Sequence, residues 1–341
     1  MIDNSNRFRY PFISVNIGKE IRVKATLISA VVMLWVMCGC ISIHIPLGAP
    51  KGELEEQVVE EAEGFWTKNR ILILPIDGVI MEKESNSILF PSENTVSEVR
   101  ERLKKAKEDS RVKAVILRID SPGGTVTGSD TIHNEIRKFK EETGKKVIAW
   151  FGSTAASGGY YVSAGADKIV AHPTTVTGSI GVILQLATIE KLLEKIGVTP
   201  VTIKSGERKD AGSPFRPILP EEKEYLQNII NHLHERFVQT VAQGRKMPLD
   251  EVRKLADGRI FTAEEALQAK LVDSIGYLDD AVALAKKESG VSDAIVVMYE
   301  RPYGYRGNYY ALGSTPEIVS ALQAFLANSP SPFMYLWIPG K

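Results

Sequence analysis

The fold is decided by a short apolar run, Ala114-Val115-Ile116-Leu117-Arg118-Ile119-Asp120. Two similar runs lie on either side of it, Ile71-Leu72-Ile73-Leu74-Pro75-Ile76 before it and Lys146-Val147-Ile148-Ala149-Trp150 after it. Between the runs, residues 96–108 and 129–142 carry apolar side chains at helical spacing. Because apolar strands that alternate with helices are typical of a parallel sheet covered on both faces, we expect an α/β fold with a mostly parallel sheet.

The rest of the chain continues this alternation and then becomes helical. A helix is predicted from about Ser157 to Ala164, and a short strand at Lys168–Ala171. After Pro220, the apolar spacing predicts helices over residues 221–244, 249–256, 263–269 and 279–289. The tail ends in an apolar run, Phe333-Met334-Tyr335-Leu336-Trp337-Ile338. Because exposed apolar patches are unusual in solution, we expect this run to dock on the domain or on a neighbouring subunit.

Charge and composition exclude some classes of function. Lysine plus arginine total 42, as do aspartate plus glutamate, so no basic surplus indicates nucleic acid as a partner. The five histidines form no metal-ligand pattern, since His232 and His234 are two positions apart and would point to different sides of a helix. We therefore expect neither a metal nor a cofactor.

The N-terminal part of the chain is predicted to be a membrane anchor. Residues 25–43 are almost continuously apolar and uncharged, close to the about 20 residues that a helix needs to span a bilayer. Basic residues precede this stretch, and an acidic segment follows it. By the positive-inside rule, residues 1–24 are expected in the cytoplasm, 25–45 in the membrane, and everything after Pro46 outside.

A cleaved signal is the alternative to a retained anchor. Met37-Cys38-Gly39-Cys40 loosely resembles a lipoprotein cleavage site, in which Cys40 would be acylated. Either route leaves the following domain tethered to the outer side of a membrane. After the anchor we expect a linker with a short helix around Leu54–Ala62, then a compact domain and a tail. Their predicted bounds are residues 46–69, 70–300 and 301–341.

Three glycine-rich turns that follow strand-like segments carry the candidate chemistry. They are Asp120-Ser121-Pro122-Gly123-Gly124, Ala155-Ala156-Ser157-Gly158-Gly159-Tyr160-Tyr161 and Thr177-Gly178-Ser179-Ile180-Gly181-Val182. Ser157 is flanked by alanines and glycines, so a peptide backbone can approach it closely. The start of the next helix offers free N–H groups that suit a tetrahedral oxyanion. A helix-capping serine is the alternative interpretation, and the motif is not the Gly-x-Ser-x-Gly elbow of α/β-hydrolases.

A nucleophilic serine needs a base, and no histidine lies in a sequence context that clearly indicates this role. His133 falls in mid-helix among polar residues, and His172 follows a strand. A Ser–Lys arrangement is therefore attractive, because a lysine shielded from water loses its proton more readily. The candidate lysines after the third turn are Lys191, Lys195, Lys204 and Lys209, and spacing alone does not choose among them.

Four motifs in this order resemble the signal peptide peptidase A family. They are the three glycine-rich turns and the segment Lys204-Ser205-Gly206-Glu207-Arg208-Lys209-Asp210-Ala211-Gly212-Ser213-Pro214. The resemblance covers roughly residues 71–285. Asp257-Gly258-Arg259-Ile260-Phe261 and the residues that follow are similar to a segment shared across the Clp protease and crotonase superfamily. The resemblance thus implies a Clp/crotonase-like fold of repeated ββα units.

The resemblance also implies a role for each residue of the site. Ser157 matches the nucleophile and Lys209 the general base, in preference to Lys204. Ser179 matches the hydroxyl that orients the lysine. The backbone N–H groups of Gly124 and Gly158 match the oxyanion hole.

The short form of the family implies a membrane-anchored endopeptidase that assembles into homo-oligomeric rings, with sites completed by neighbouring subunits. Its substrates would be cleaved signal peptides and other apolar peptides. Its location would be the bacterial cytoplasmic membrane, with one membrane pass and the catalytic domain on the extracytoplasmic side. Two alternatives from other classes are a crotonase-type enzyme acting on CoA thioesters and a non-catalytic scaffold that binds peptides.

Overall fold

The structure is a computed structural model that describes residues 53–64, 66–82, 94–301 and 333–337. All of these residues belong to one compact unit, Gly48–Lys341. The predicted cytoplasmic segment 1–24 and transmembrane segment 25–45 lie outside the described residues. Within the described ranges, no helix is both long enough and apolar enough to cross a membrane.

The strands of the described chain are β1 to β12. They span Glu55–Glu60, Arg70–Asp77, Val112–Ser121, Gly123–Thr125, Lys146–Ala156, Lys168–Ala171, Val176–Gly178, Ile183–Leu184, Ile260–Thr262, Ser274–Ile275, Ile295–Glu300 and Phe333–Leu336. The helices are α1 to α8. They span Thr95–Glu108, Val126–Thr143, Gly158–Ser163, Glu190–Lys195, Pro220–Arg245, Leu249–Leu255, Ala263–Gln268 and Leu278–Ser289. A short 3-10 helix, Glu207–Asp210, is called the lysine turn below because it carries Lys209.

The strands form one large, mostly parallel sheet and one small antiparallel sheet. The large sheet runs in the order β1-β11-β2-β3-β5-β6-β10, with β7 added beside β5 and β9 beside β7. The contacts of β2, β3, β5 and β6 with one another are parallel, whereas β1 and β9 pair antiparallel at its margins. The α/β fold with a mostly parallel sheet is therefore confirmed.

The sheet is buried on both faces because alternate residues of its strands point to opposite sides. Val115 and Leu117 of β3 belong to the apolar cluster that includes side chains of α1 and α2. Ala114 and Ile116 belong to a second cluster with α8. Burying an isoleucine or leucine contributes about 1.5–3 kcal/mol to the free energy of folding, so the continuous apolar runs fix the centre of the domain.

The short helix predicted around Leu54–Ala62 is wrong. Glu55–Glu60 forms strand β1, which pairs antiparallel with β11. β1 is held there by the Glu56 carboxylate, which accepts hydrogen bonds from Arg70 at 3.0 Å and from Arg111 at 3.1 Å. Pairing with the edge of β11 and two arginines outside β1 thus override the local helix preference of this glutamate-rich stretch.

The predicted docking of the tail on the domain is confirmed for Phe333–Leu336. This segment forms β12, which lies between β4 and β8 and pairs antiparallel with both. The Trp337 N–H donates a hydrogen bond of 2.7 Å to the Pro122 carbonyl and extends the pairing. The three strands form the small sheet at the glycine-rich turn that follows β3.

Candidate active site

Ser157 lies on a sharp turn between β5 and α3. Its backbone has φ 53° and ψ −114°, in the region of positive φ that residues with a side chain rarely adopt. The Ser157 N–H donates to the Gly178 carbonyl at 2.8 Å, which ties the turn to β7. Ser157 is 1% exposed in the single chain. A strained residue held by the sheet beside the unpaired N–H groups of a helix start is typical of a functional position.

Neither Gly124 nor Gly158 has room for a side chain, and a Cβ atom on Gly124 would overlap the Ile80 carbonyl oxygen. A Cβ atom on Gly158 would lie 3.0 Å from the Gly124 nitrogen and would overlap the Ser129 hydroxyl. A Cβ on Gly123 would lie 2.7 Å from the Gly158 nitrogen. Ile80 holds this strand in place, since its N–H donates to the Gly123 carbonyl at 2.8 Å. The structure thus brings the two predicted oxyanion donors, Gly124 and Gly158, close to each other and next to Ser157.

Ser179 lies beside Ser157 because β5 and β7 run parallel in a fixed register. Ala156 of β5 is the register partner of Gly178 of β7, and each candidate serine follows directly. Ser179 also has a positive φ, 49°, and its N–H donates to the Arg259 carbonyl at 2.7 Å. Both serines therefore lie at the same end of adjacent parallel strands.

Lys209 is placed differently from the other predicted site residues. It is exposed, on the lysine turn, and its side chain forms no hydrogen bond or ion pair with any residue that the structure describes. Lys204, the other candidate base in this segment, already forms hydrogen bonds. Its ammonium donates to the Asp210 carboxylate at 2.7 Å and to the Glu207 carbonyl at 2.8 Å. The structure does not bring Lys209 into contact with Ser157 within the described part of a single chain.

The remaining basic candidates have other surroundings. Lys191 and Lys195 lie on α4, a helix without a buried side chain. His133 packs edge-on against Tyr161, and burial lowers the pKa of His133 to about 4, so it is neutral at physiological pH. His172 contacts the Thr174 hydroxyl at 2.8 Å. Neither His133 nor His172 forms a hydrogen bond with Ser157 in the described structure, and no group of three or more His, Cys, Asp or Glu there could hold a metal ion.

Strand β12 of the tail occupies the groove beside Gly124. Tyr335 is the register partner of Gly124, and a Cβ on Gly123 would overlap the Tyr335 carbonyl oxygen. The Tyr335 ring is fully buried and stacks on Tyr161, with centroids 5.1 Å apart. Its hydroxyl donates to the Leu233 carbonyl at 2.9 Å. The groove between β4 and β8 therefore accommodates an extended segment of the chain's own tail with a large aromatic side chain.

Sequence reasoning missed the residues that fix the lysine turn. Arg216 bridges the Asp210 carboxylate, at 3.0 Å, and the Glu222 carboxylate, at 2.9 Å. Its only signal in the sequence is an arginine between Phe215 and Pro217, a charged residue in an otherwise apolar and proline-rich stretch. That pattern does not predict a partner, because the pairing depends on the start of α5.

Comparison with known proteins places this chain among proteases. Residues 139–292 match the model of peptidase family S49, a segment that contains Ser157, Ser179 and Lys209 and begins after Gly124. A protein of Enterococcus faecium that bears the name of signal peptide peptidase SppA is 40% identical over 248 residues, which cover 73% of this chain and 71% of that protein.

Two relatives are much longer than the matched region. Protease 4 of Haemophilus influenzae is 36% identical over 232 residues, which cover 68% of this chain and 37% of that protein. The chloroplastic serine protease SPPA of Arabidopsis thaliana is 40% identical over 192 residues, which cover 56% of this chain and 28% of that protein.

Proposed function

This chain belongs to peptidase family S49 as a serine-type peptidase of the signal peptide peptidase A family, and on that premise we propose that Ser157 is its nucleophile and Lys209 its general base. The observation that carries the proposal is the position of Ser157, at positive φ, beside the closely packed glycines 124 and 158. The family membership favours the peptidase over the CoA-thioester enzyme and the non-catalytic scaffold.

The proposed reaction needs one proton carrier and two hydrogen-bond donors. Neutral Lys209 takes the proton from Ser157 Oγ, which attacks the peptide carbonyl carbon. The N–H groups of Gly124 and Gly158 stabilise the oxyanion, each by about 3 kcal/mol. The Lys209 ammonium then protonates the leaving amine, and the acyl group stays on Ser157. A water gives a proton to Lys209 and attacks this ester, and the Lys209 ammonium returns that proton to Ser157 Oγ as the acid product leaves. The Ser179 hydroxyl orients the lysine.

We further propose that the base comes from a neighbouring copy in a homo-oligomeric ring. Lys209 is exposed and has no polar partner among the described residues of its own chain. The surrounding segment, residues 183–219, exposes many apolar side chains, with Val201 at 81% and Ile203 at 96% exposure. Such a surface is typical of a subunit contact. Burial in that contact would remove water from the lysine, which favours the neutral form that a base requires.

The proposed substrates are apolar peptides, such as cleaved signal peptides, bound as an added strand. Support for this binding mode comes from β12, which pairs antiparallel with β4 and β8 beside Gly124. A substrate in its place would gain main-chain hydrogen bonds from both strands. The rings of Tyr161 and Phe237, which contact Tyr335, favour an apolar side chain. The name of the Enterococcus relative supports the substrate class.

The membrane location and the finer fold are part of the same proposal. We propose that residues 25–45 anchor the chain once in the bacterial cytoplasmic membrane, with the peptidase domain, residues 70–300, on the extracytoplasmic side. The basic residues before this stretch and the acidic segment after it support this orientation. The alternation of parallel strands and helices supports a Clp/crotonase-like superhelix of ββα units.

Mixing two inactive variants tests whether the catalytic pair is shared between chains. Full-length Ser157→Ala and Lys209→Ala carry different affinity tags, are co-expressed, and are purified through both tags in turn, so that only mixed oligomers remain. If each site takes Ser157 from one subunit and Lys209 from the next, rings that contain equal amounts of the two variants should regain about one quarter of wild-type activity. At each head-to-tail contact the serine is intact in half of the cases and the lysine in half, so both are intact at about one site in four.

Each variant expressed alone is the control and is expected to be inactive. Mixed oligomers that form, as shown by recovery through both tags, but stay inactive would contradict the shared site. The pair would then have to form within one chain.

A further inference from the structure

The lysine turn is fastened to α5 on both sides of Lys209. The Arg208 guanidinium lies 5.5 Å from the centre of the Tyr225 ring of α5, a cation–π distance. The Asp210 carboxylate accepts hydrogen bonds from Lys204 at 2.7 Å and from Arg216 at 3.0 Å. Both sequence neighbours of Lys209 are thus held, whereas the Lys209 side chain has no polar partner among the described residues.

Arg216 is the centre of this attachment. Its Nε donates to Asp210 Oδ2 at 3.0 Å, and its Nη2 donates to the Asp210 backbone carbonyl at 3.1 Å. Its Nη1 donates to Glu222 Oε2 at 2.9 Å. Glu222 in turn accepts the Leu219 N–H at 3.1 Å at the start of α5. The guanidinium therefore connects the main chain of the lysine turn to the first turn of a 26-residue helix.

The two carboxylates of this attachment are largely shielded from solvent, whereas the Arg216 side chain is one-quarter exposed. Glu222 is 4% exposed, and the Asp210 side chain is 12% exposed. Hydrogen bonds from the Arg216 guanidinium hold the pKa of Asp210 and the pKa of Glu222 below their usual ranges. Both carboxyls are therefore ionised at neutral pH. A planar guanidinium donates to two carboxylates and a carbonyl in fixed directions, which a lysine ammonium does not reproduce.

We propose that Arg216 is a positioning residue that fixes the lysine turn on α5, so that Lys209 is presented at a set place to the serine site it serves. This inference rests on the proposed role of Lys209 as the base. A lysine side chain is long and flexible, so the place its amine can reach depends on how firmly its backbone is held. Misplacing a catalytic group by about 1 Å costs about 100-fold in rate, so a loosened turn should slow the chemical step.

The test compares kcat and KM of purified full-length variants with an apolar peptide substrate. Arg216→Gln removes the charge and most donors, and we expect kcat to fall about 100-fold while KM changes less than about 2-fold. The kcat of Arg216→Lys should exceed that of Arg216→Gln by no more than about 10-fold, because lysine keeps the charge without the planar geometry. Asp210→Asn weakens the same attachment from the other side and should lower kcat about 10-fold.

Arg253→Gln is the matched control. Arg253 also joins two carboxylates, those of Glu235 at 2.8 Å and Asp250 at 2.9 Å, but it holds α5 to α6 and not to the lysine turn. Its kcat should stay within about 2-fold of the wild type.

A double variant separates positioning from a merely structural role. If Arg216 acts through Lys209, adding Arg216→Gln to Lys209→Ala leaves the residual rate unchanged. A further fall of the residual rate would show a general structural role and overturn the inference. Arg216→Gln with wild-type kcat, alongside an inactive Lys209→Ala, would overturn the inference and leave the proposed function standing. An active Lys209→Ala would overturn the proposed base, and the inference with it.

Discussion

Replacing Ser157 with alanine is expected to lower peptide hydrolysis by at least about 10⁴-fold, because the variant has no oxygen to attack the substrate carbonyl. Folding should be intact, since the Ser157 N–H bond to Gly178 belongs to the backbone and the side chain makes no hydrogen bond within the described structure. The measurement is the initial rate of cleavage of a fluorogenic apolar peptide, together with the thermal unfolding midpoint.

Ser163→Ala is the matched control for this experiment. Ser163 is a fully buried serine at the end of α3, the helix that follows Ser157, and its hydroxyl donates to the Tyr160 carbonyl at 2.7 Å. Its loss should cost about 1 kcal/mol of unfolding free energy and leave the cleavage rate near that of the wild type. A Ser157→Ala enzyme that cleaves at the wild-type rate would remove Ser157 from its role.

Replacing Lys209 with alanine is expected to lower cleavage by at least about 10³-fold, because Ser157 then has no group to take its proton. Lys204→Ala is the control, since its ammonium is already bound to Asp210 and Glu207 and does not serve as a base. We expect Lys204→Ala to keep activity within about 10-fold of the wild type, because Arg216 still holds Asp210. The reverse result, an active Lys209→Ala and an inactive Lys204→Ala, would reassign the base.

The sequence predicts the centre of the fold well because the information there is local. The runs around Ile73, Ile116 and Ile148 are short and mostly apolar, and they alternate with helical segments, which is the pattern of strands that are buried on both faces. Ser157 follows β5, one of these strands, and Ser179 follows the short strand β7 beside it, so the parallel register brings both serines to the same end of the sheet. The motifs place glycine at 124 and 158, where the backbone must approach other atoms closely. In the structure a Cβ atom at either position would be too close to backbone atoms of another segment.

What the sequence does not predict depends on partners far along the chain. β1 is a strand because Arg70, Arg111 and the edge of β11 hold it, although its own residues favour a helix. The sequence predicts that the tail docks, but its place between β4 and β8 follows from pairings with residues more than 140 positions earlier. The proposed partner of Lys209 is Ser157 of another copy of the chain, and no local sequence pattern indicates a pairing between two copies.

The most direct test of the Ser–Lys site is labelling of the full-length protein by a fluorophosphonate probe. We expect a single adduct on Ser157, identified by mass spectrometry. Ser157→Ala should not be labelled, and Lys209→Ala should be labelled at least about 100-fold more slowly than the wild type, because Ser157 then has no base. An adduct on a residue other than Ser157, or a Lys209→Ala variant that is labelled at the wild-type rate, would contradict the account.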